Sequence, residues 1–432
     1  MKSILSMISA AFYVYLFALV LFSSSIGIVE ASAARDHETI LTRETIANQA
    51  LNHYLALQQS QLQLRSQIAQ LGYLQTQRDL EATSFIPMKP GYFPTSMDEL
   101  IRLIPDYEQL SDEQKKQMES VLAIQSMIHT SLNQYIDAQT QQQNATLFFQ
   151  QQQNLKSLDE QLRSASFGVQ SSVLEMEKTK LLVQFYAFQS VYQIVMLEKD
   201  LNVAELEQSY LEQNHQDAQK LLEAGQLTSQ DAEDARLKMQ GQQQAVAALS
   251  QQLTIRKKLL NRDLGYKESQ QIMIPNKLSE IALEEKEIAP DVRLDEQIEM
   301  KMANAAIQQA EASYNTTKSD NSALAIYYKS IISIETDKKG LVARQLEKKK
   351  EELTAEQLSL LDELDRLQEE RVLLMRTKND QKKLFQHGLI SGREVEAVEY
   401  EITKLDIAIE KTQISYEIWK EKKWAALHGL LI

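Results

Sequence analysis

The chain is predicted to be all-α, built of long antiparallel helical hairpins in two internal repeats, with coiled-coil packing and at most a vestigial β segment. Three observations predict this. Only 11 glycines and 6 prolines interrupt 432 residues, well below the roughly 7% and 5% usual for proteins, while Gln, Leu, Ala, Lys and Glu, all good helix formers, dominate. Two stretches, centred on Gly225 and Gly388, spell the same helix–turn–helix. Apolar residues recur every seven positions through four long segments.

Residues 1–33 are read as a signal peptide. Lys2 supplies a positive start, Ile4 to Ile28 are apolar, small or hydroxylated, and Ala31-Ser32-Ala33 offers a small–x–small cleavage site that leaves Ala34 as the mature N-terminus. The apolar part is long for a signal peptide, so a retained membrane anchor is the competing reading. No other segment approaches the ~20 continuous apolar residues of a membrane helix.

Residues 34–265 form the first expected repeat. Arg43 to Leu80 is helical and rich in glutamine. Phe85 to Pro105 holds Pro87, Pro90, Pro94 and Pro105 with Gly91, a density that interrupts any helix and implies a folded loop or crossing. Helix resumes near Ser111, whose neighbours Asp112 and Glu113 suit a first turn, and runs towards Gln139. The glutamine clusters at 141–144 and 150–153 flank Thr146 to Phe149, a stretch readable as turn, short strand pair or polar helix. A long helix is expected from about Asn154 to Ala224, with a partner from Thr228 to Leu264.

Residues 266–290 are the expected connector, with Pro275, Pro290 and an acidic stretch. The second repeat takes 291–432. In it Ala303 to Lys318 is helical, 319–322 is a turn candidate, and Ala323 to Glu335 fits either a helix by spacing or a strand by its β-branched and aromatic content. Helix continues to His387, turns at Gly388 and returns to the C-terminus.

The two turns match in detail. A helical pattern stops at Gly225 or Gly388, where glycine can take the left-handed conformation that closes a helix. An apolar residue follows two positions later, Leu227 or Ile390. A capping pair then starts the next helix, Thr228 with Asp231 and Ser391 with Glu394. Helices joined by so short a turn run antiparallel. Beyond the first turn Ala232, Met239, Val246, Leu253 and Leu260 are seven apart; beyond the second, Val395, Ile402, Ile409 and Tyr416 follow suit, with a one-residue slip near the end, where Trp424 continues the stripe. The incoming helices carry Phe167, Leu174, Leu181, Phe188 and Val195, and Leu346, Leu353, Leu360, Leu367 and Leu374. Such stripes are the seams of coiled-coil packing.

A net charge of −14 argues against a nucleic-acid partner, because phosphate binding needs a basic surface. The run Lys348–Lys350 is followed by Glu351 and Glu352 and reads as a solvated face. The absence of cysteine rules out disulfides, thiolate metal sites and a lipidated N-terminal cysteine. The six histidines are scattered, and no phosphate loop, nucleophile elbow or zinc-protease motif is present. The chain is therefore predicted not to be an enzyme, with no catalytic residues, no metal site and no cofactor. Glu223, Asp231, Glu233, Asp234, Glu394, Glu396 and Glu399 beside the turns read as a solvated face or, alternatively, as a cation-favouring entrance.

The paired turns around Gly225 and Gly388, each followed by about forty helical residues ending in Leu264-Gly265 or His428-Gly429, together with the repeat and the export signal, resemble the TolC-like outer-membrane efflux protein family. The resemblance covers 154–265 and 340–432 best. It implies a homotrimer whose helices form a tunnel across the periplasm, with membrane association, a membrane-fusion adaptor protein and an inner-membrane pump as partners. It places Gly225, Leu227, Thr228, Asp231, Gly388, Ile390, Ser391 and Glu394 in adaptor-facing turns, with Leu227 and Ile390 either offering apolar contact or stapling the turn. The family also inserts two strands of a β-barrel in each half. Around 145–149 and 323–335 there is scarcely material for one strand, so the barrel is expected to be vestigial or missing. The alternative function is an exported coiled-coil scaffold of the cell envelope without a pore.

Overall fold

The computed structural model describes residues 39–274, 292–318 and 322–432; the expected signal peptide, most of the connector and part of the 319–322 turn lie outside them. Eight α-helices occur among the described residues: α1 (Arg43–His53), α2 (Leu55–Thr83), α3 (Met97–Leu103), α4 (Asp112–Glu223), α5 (Ser229–Asp263), α6 (Ile298–Thr317), α7 (Ser322–Gln386) and α8 (Gly392–Leu427). The β content of the described residues is one parallel pair of two-residue strands, β1 (Thr39–Ile40) with β2 (Ile272–Met273). It lies away from both places where the sequence left room for a strand. The chain divides into two compact units, Met1–Arg65 with Gln170–Ile432, and Ser66–Val169.

Two ambiguous stretches resolve as helix. Residues 141–153 lie inside α4, and 323–335 open α7. In the first, polar side chains facing inward find backbone partners. The Gln151 amide donates to the Glu81 carbonyl at 2.7 Å, joining the Ser84 N–H and hydroxyl on the last turn of α2. In the second, the apolar positions recur at helical spacing, which outweighs their β propensity.

In the smaller unit the proline-rich segment becomes a strap along α4. Asn144 accepts from the Met88 N–H at 2.8 Å and donates to its carbonyl at 3.1 Å. Asn133 does the same for Phe93, at 2.9 and 2.8 Å. The distances match: eleven helical residues and five extended ones each cover roughly 16 Å. The His129 Nδ1 meets the Pro94 carbonyl at 2.8 Å. Ser111 caps α4, its hydroxyl accepting from the Gln114 N–H at 3.3 Å.

The larger unit contains a row of helices in the order α5–α4–α8–α7, each antiparallel to its neighbour. Lys257 of α5 pairs with Glu198 of α4 at 2.6 Å. Along α4 and α8, Tyr210 stacks on Tyr400 with ring centroids 4.9 Å apart, and Lys199 pairs with Glu410 at 2.6 Å. Between α8 and α7, Lys422 pairs with Glu356 at 2.7 Å and Lys378 with Glu399 at 3.0 Å. Seam positions lie on covered faces: Ala232, Leu260, Phe188, Val195, Leu346, Leu353, Leu367, Val395 and Ile402 are buried, and the other seam residues of α5, α7 and α8 are half-buried.

The core sits where the C-terminal end of α8 meets α7 and the segment before α6. Val292, Met300, Leu346, Leu353, Trp419, Ala426 and Leu431 form it. The Trp419 indole donates to the Leu353 carbonyl at 2.8 Å, so the largest buried side chain carries no unpaired polar atom. Gly429 (φ 99) closes α8 and turns Leu430 and Leu431 back into this core. Gly265 (φ 77) closes α5 the same way, against the His53 ring. The one-residue slip between repeats has a simple origin: α5 has 35 residues and α8 has 36.

Candidate functional site

The two hairpin turns lie at one end of the helix row. Each incoming helix ends in a full Schellman motif, in which two orphan carbonyls receive donors from beyond the helix. The Gly225 N–H donates to the Leu222 carbonyl at 2.9 Å and the Gln226 N–H to Leu221 at 2.8 Å; Gly388 donates to Phe385 and Leu389 to Leu384, both at 2.9 Å. Gly225 and Gly388 take φ of 71 and 69, the left-handed region, with open space where a Cβ would stand.

The outgoing helices are capped unequally. Thr228 Oγ1 accepts from the Asp231 N–H at 3.2 Å and donates to its carboxylate at 2.6 Å. At the second turn the Glu394 carboxylate reaches back to the Ser391 N–H at 3.3 Å and takes the Ser391 hydroxyl at 3.2 Å. The longer side chain can span back to the N-cap backbone.

Leu227 and Ile390 are half-buried. The apolar side chains standing clear at the tips are others: Leu389 is 69% exposed, and Phe385, Leu384 and Leu221 are also exposed. Leu389 follows the closing glycine of the second hairpin, where the first has polar Gln226, so the two tips differ chemically.

Arg393 joins the hairpins. Its guanidinium reaches both Asp217 and Asn214 near the end of α4. Nothing in the sequence reading singled it out, yet a signal existed. A cation in the first turn of a helix opposes the helix dipole, so it needs an anionic partner from elsewhere. The acidic residues near the tips are largely engaged. Glu399 meets Lys378 and Lys382 at 3.0 and 3.2 Å, and these hydrogen bonds hold its carboxyl below the usual range. Glu233 pairs with Arg236 and is likewise lowered.

A second cluster lies at the far end of α8. Glu417 and Glu421 are both buried, with Arg43 of α1 on Glu421 at 2.8 Å. Burial, opposed by Arg43 and reinforced by Glu417, pushes the Glu421 carboxyl from 4.5 up to about 7. The Arg43 guanidinium also lies over the Phe188 and Trp424 rings, 5.2 and 5.7 Å from their centroids.

No family profile and no characterised protein matches this chain by sequence. Solved structures share its fold. The outer membrane protein VceC of Vibrio cholerae is 9% identical with a TM-score of 0.55, covering 90% of this chain and 97% of VceC. The CmeC outer membrane channel of Campylobacter jejuni is 10% identical with a TM-score of 0.54, covering 92% and 90%. CusC, whose structures concern folding and transmembrane channel formation, is 13% identical with a TM-score of 0.52, covering 92% and 96%. These neighbours are TolC-family outer-membrane channels, and the chain shares their fold.

Proposed function

We propose that the chain is an exported envelope protein that assembles as a homotrimer into a helical conduit for efflux, in the outer membrane or periplasm, with a membrane-fusion adaptor protein and an inner-membrane pump as partners. In this reading it consists of two hairpin repeats, 34–265 and 291–432, joined by 266–290, after removal of residues 1–33. The observation that carries it is the row α5–α4–α8–α7, in which α7 also packs on α6. Its outer members keep apolar residues exposed, Leu237 and Ile255 on α5, Leu358 and Leu373 on α7. Such a row is completed when the α5 edge of one copy meets the α7 edge of the next, a heterologous contact that closes into a ring.

The tips, Gly225–Asp231 and Gly388–Glu394, would then face the adaptor. Passage is passive and gated by movement of the hairpins, which must separate Arg393 from Asp217. Likeness of fold to efflux channels supports the reading without specifying a solute.

One observation favours the pore-less scaffold instead: 145–149 and 323–335, where each half would carry barrel strands, are helical. Light scattering of the chain from Ala34 onward, with and without detergent, separates the two. A trimer that needs detergent supports the conduit, and a monomer or dimer indifferent to detergent supports the scaffold. In cells, Gly225→Ala with Gly388→Ala should abolish tolerance to exported compounds while the protein stays folded; unchanged tolerance counts against the tip assignment.

A further inference from the structure

Helix α1 is tied to the ends of both returning helices, α5 and α8. Strand β1, just before α1, pairs with β2, which follows α5. At the other tie Arg43, the first residue of α1, reaches Glu421 near the end of α8 at 2.8 Å. A cation in that position opposes the helix dipole, so the half-exposed Arg43 side chain depends on its partners, Glu421 and the rings of Phe188 and Trp424. Glu417 and Glu421 are both buried, one helical turn apart. The first hairpin has no carboxylate at the matching positions, Thr254 and Lys258, so the hairpin design does not require the pair. Burial favours the neutral form of a carboxyl, and like charges one turn apart repel. The charged and titratable groups around Glu421 are Arg43 from α1, Tyr192 from α4 and Glu417 on α8, the last paired with Lys420 at 2.9 Å. His428 stands nearby, its ring centroid 4.4 Å from that of Trp424.

We propose that Arg43, Glu417 and Glu421 form a proton-operated latch: one proton taken up by the buried carboxylate pair frees the start of α1, with β1, from α8. While Glu421 is charged, its bond to Arg43 is charge-assisted on both sides. A proton makes it a neutral acceptor, whose bonds are about half as strong. The guanidinium, already half-exposed, then turns to water. With Glu421 raised to about 7, the exchange falls near neutral pH. The proton stabilises the fold as a whole, by removing a buried charge, while it weakens this one contact. Leu41, Ile46 and Ala50 are buried and keep the rest of α1 seated, so the change is confined to the stretch around 39–46. Opening loosens the link that α1 makes between the ends of the two hairpins. The latch lies within one chain and is independent of the conduit reading.

Hydrogen exchange of the full-length chain, read by mass spectrometry at pH 6 and pH 8 and corrected for the intrinsic pH dependence of amide exchange, tests the latch. The amides of 39–46 should exchange about five-fold faster at pH 6, with those of 55–64 unchanged. Glu421→Gln copies the shape of the protonated side chain, and its 39–46 amides should exchange fast at both pH values. Glu417→Gln removes the repelling charge and should move the transition to lower pH. His428→Gln should leave the transition where it is. Equal exchange of 39–46 at both pH values in the unaltered chain overturns the proposal. So does a pH response that survives Glu421→Gln, that stays in place in Glu417→Gln, or that disappears in His428→Gln, the last because the histidine would then be the titrating group.

Discussion

Among the described residues four glycines take positive φ, Gly225, Gly265, Gly388 and Gly429, and their surroundings differ. Around Gly225 and Gly388 nothing stands within 4 Å of a Cβ, whereas at Gly265 the His53 Cγ is 2.4 Å away and at Gly429 the Glu296 carbonyl is 3.1 Å away. Alanine at the first two should cost only left-handed strain, about 1 kcal/mol each. Gly265→Ala adds a clash with a ring that must move, and should cost more than about 2 kcal/mol. Urea unfolding of the single variants checks this ranking, and equal losses at all four would contradict it. The Glu421 carboxyl gives a pH prediction of definite sign. Its pKa is raised on folding from 4.5 to about 7, so the folded state binds the proton more tightly. The stability this adds is present below pH 4.5 and lost as pH rises through about 7, up to roughly 3 kcal/mol. Glu421→Gln should flatten that slope and raise stability at pH 8, as read by urea unfolding at pH 5 and pH 8.

At the scale of elements, short connections carry the organisation. The Schellman–cap turns are local devices in which every hydrogen bond lies within six residues, which is why they were legible. The strap is the opposite case. Its prolines announced a break, yet its route along α4 depends on Asn133 and Asn144, forty and more residues away, standing three helical turns apart on one face. Asn144→Ala removes both hydrogen bonds to Met88 and should loosen 84–96 by about 1 kcal/mol. Limited proteolysis should then cut the strap several-fold faster, with the circular dichroism of the helices unchanged. If the strap resists cleavage as before, the asparagines are decoration and its apolar contacts hold it. The helical outcome at 323–335 shows the limit of propensity: β-branched residues yield when the flanking chain continues a helical pattern.

For the whole molecule, the decisive fact is that the larger unit leaves apolar residues exposed at both outer helices of a row. Leu237 and Ile255 are about half exposed, at 52% and 50%. Changing both to glutamate should alter the stability of the isolated chain by about 0.5 kcal/mol or less each, while lowering the assembly mass measured by light scattering. Unchanged mass would mean that the α5 edge takes no part in assembly. The buried charge at the other end of the row, with Glu421 held by Arg43, ties the start of α1 to α8 within that unit.

Composition, the paired turns and the heptad stripes sufficed to determine an all-α chain with two matched hairpins, because helix formation, helix ends and caps are written in residues a few positions apart. They did not determine which hairpin lies beside which. That depends on contacts such as Tyr210 with Tyr400 and Arg393 with Asp217, each between residues about 180 or more positions apart, where no local rule applies. Nor did they tell which apolar residues at the tips would be free, since Leu227 and Ile390 are half-buried while Leu389 stands clear. Only the tertiary structure decided these points, because burial is a property of what surrounds a side chain.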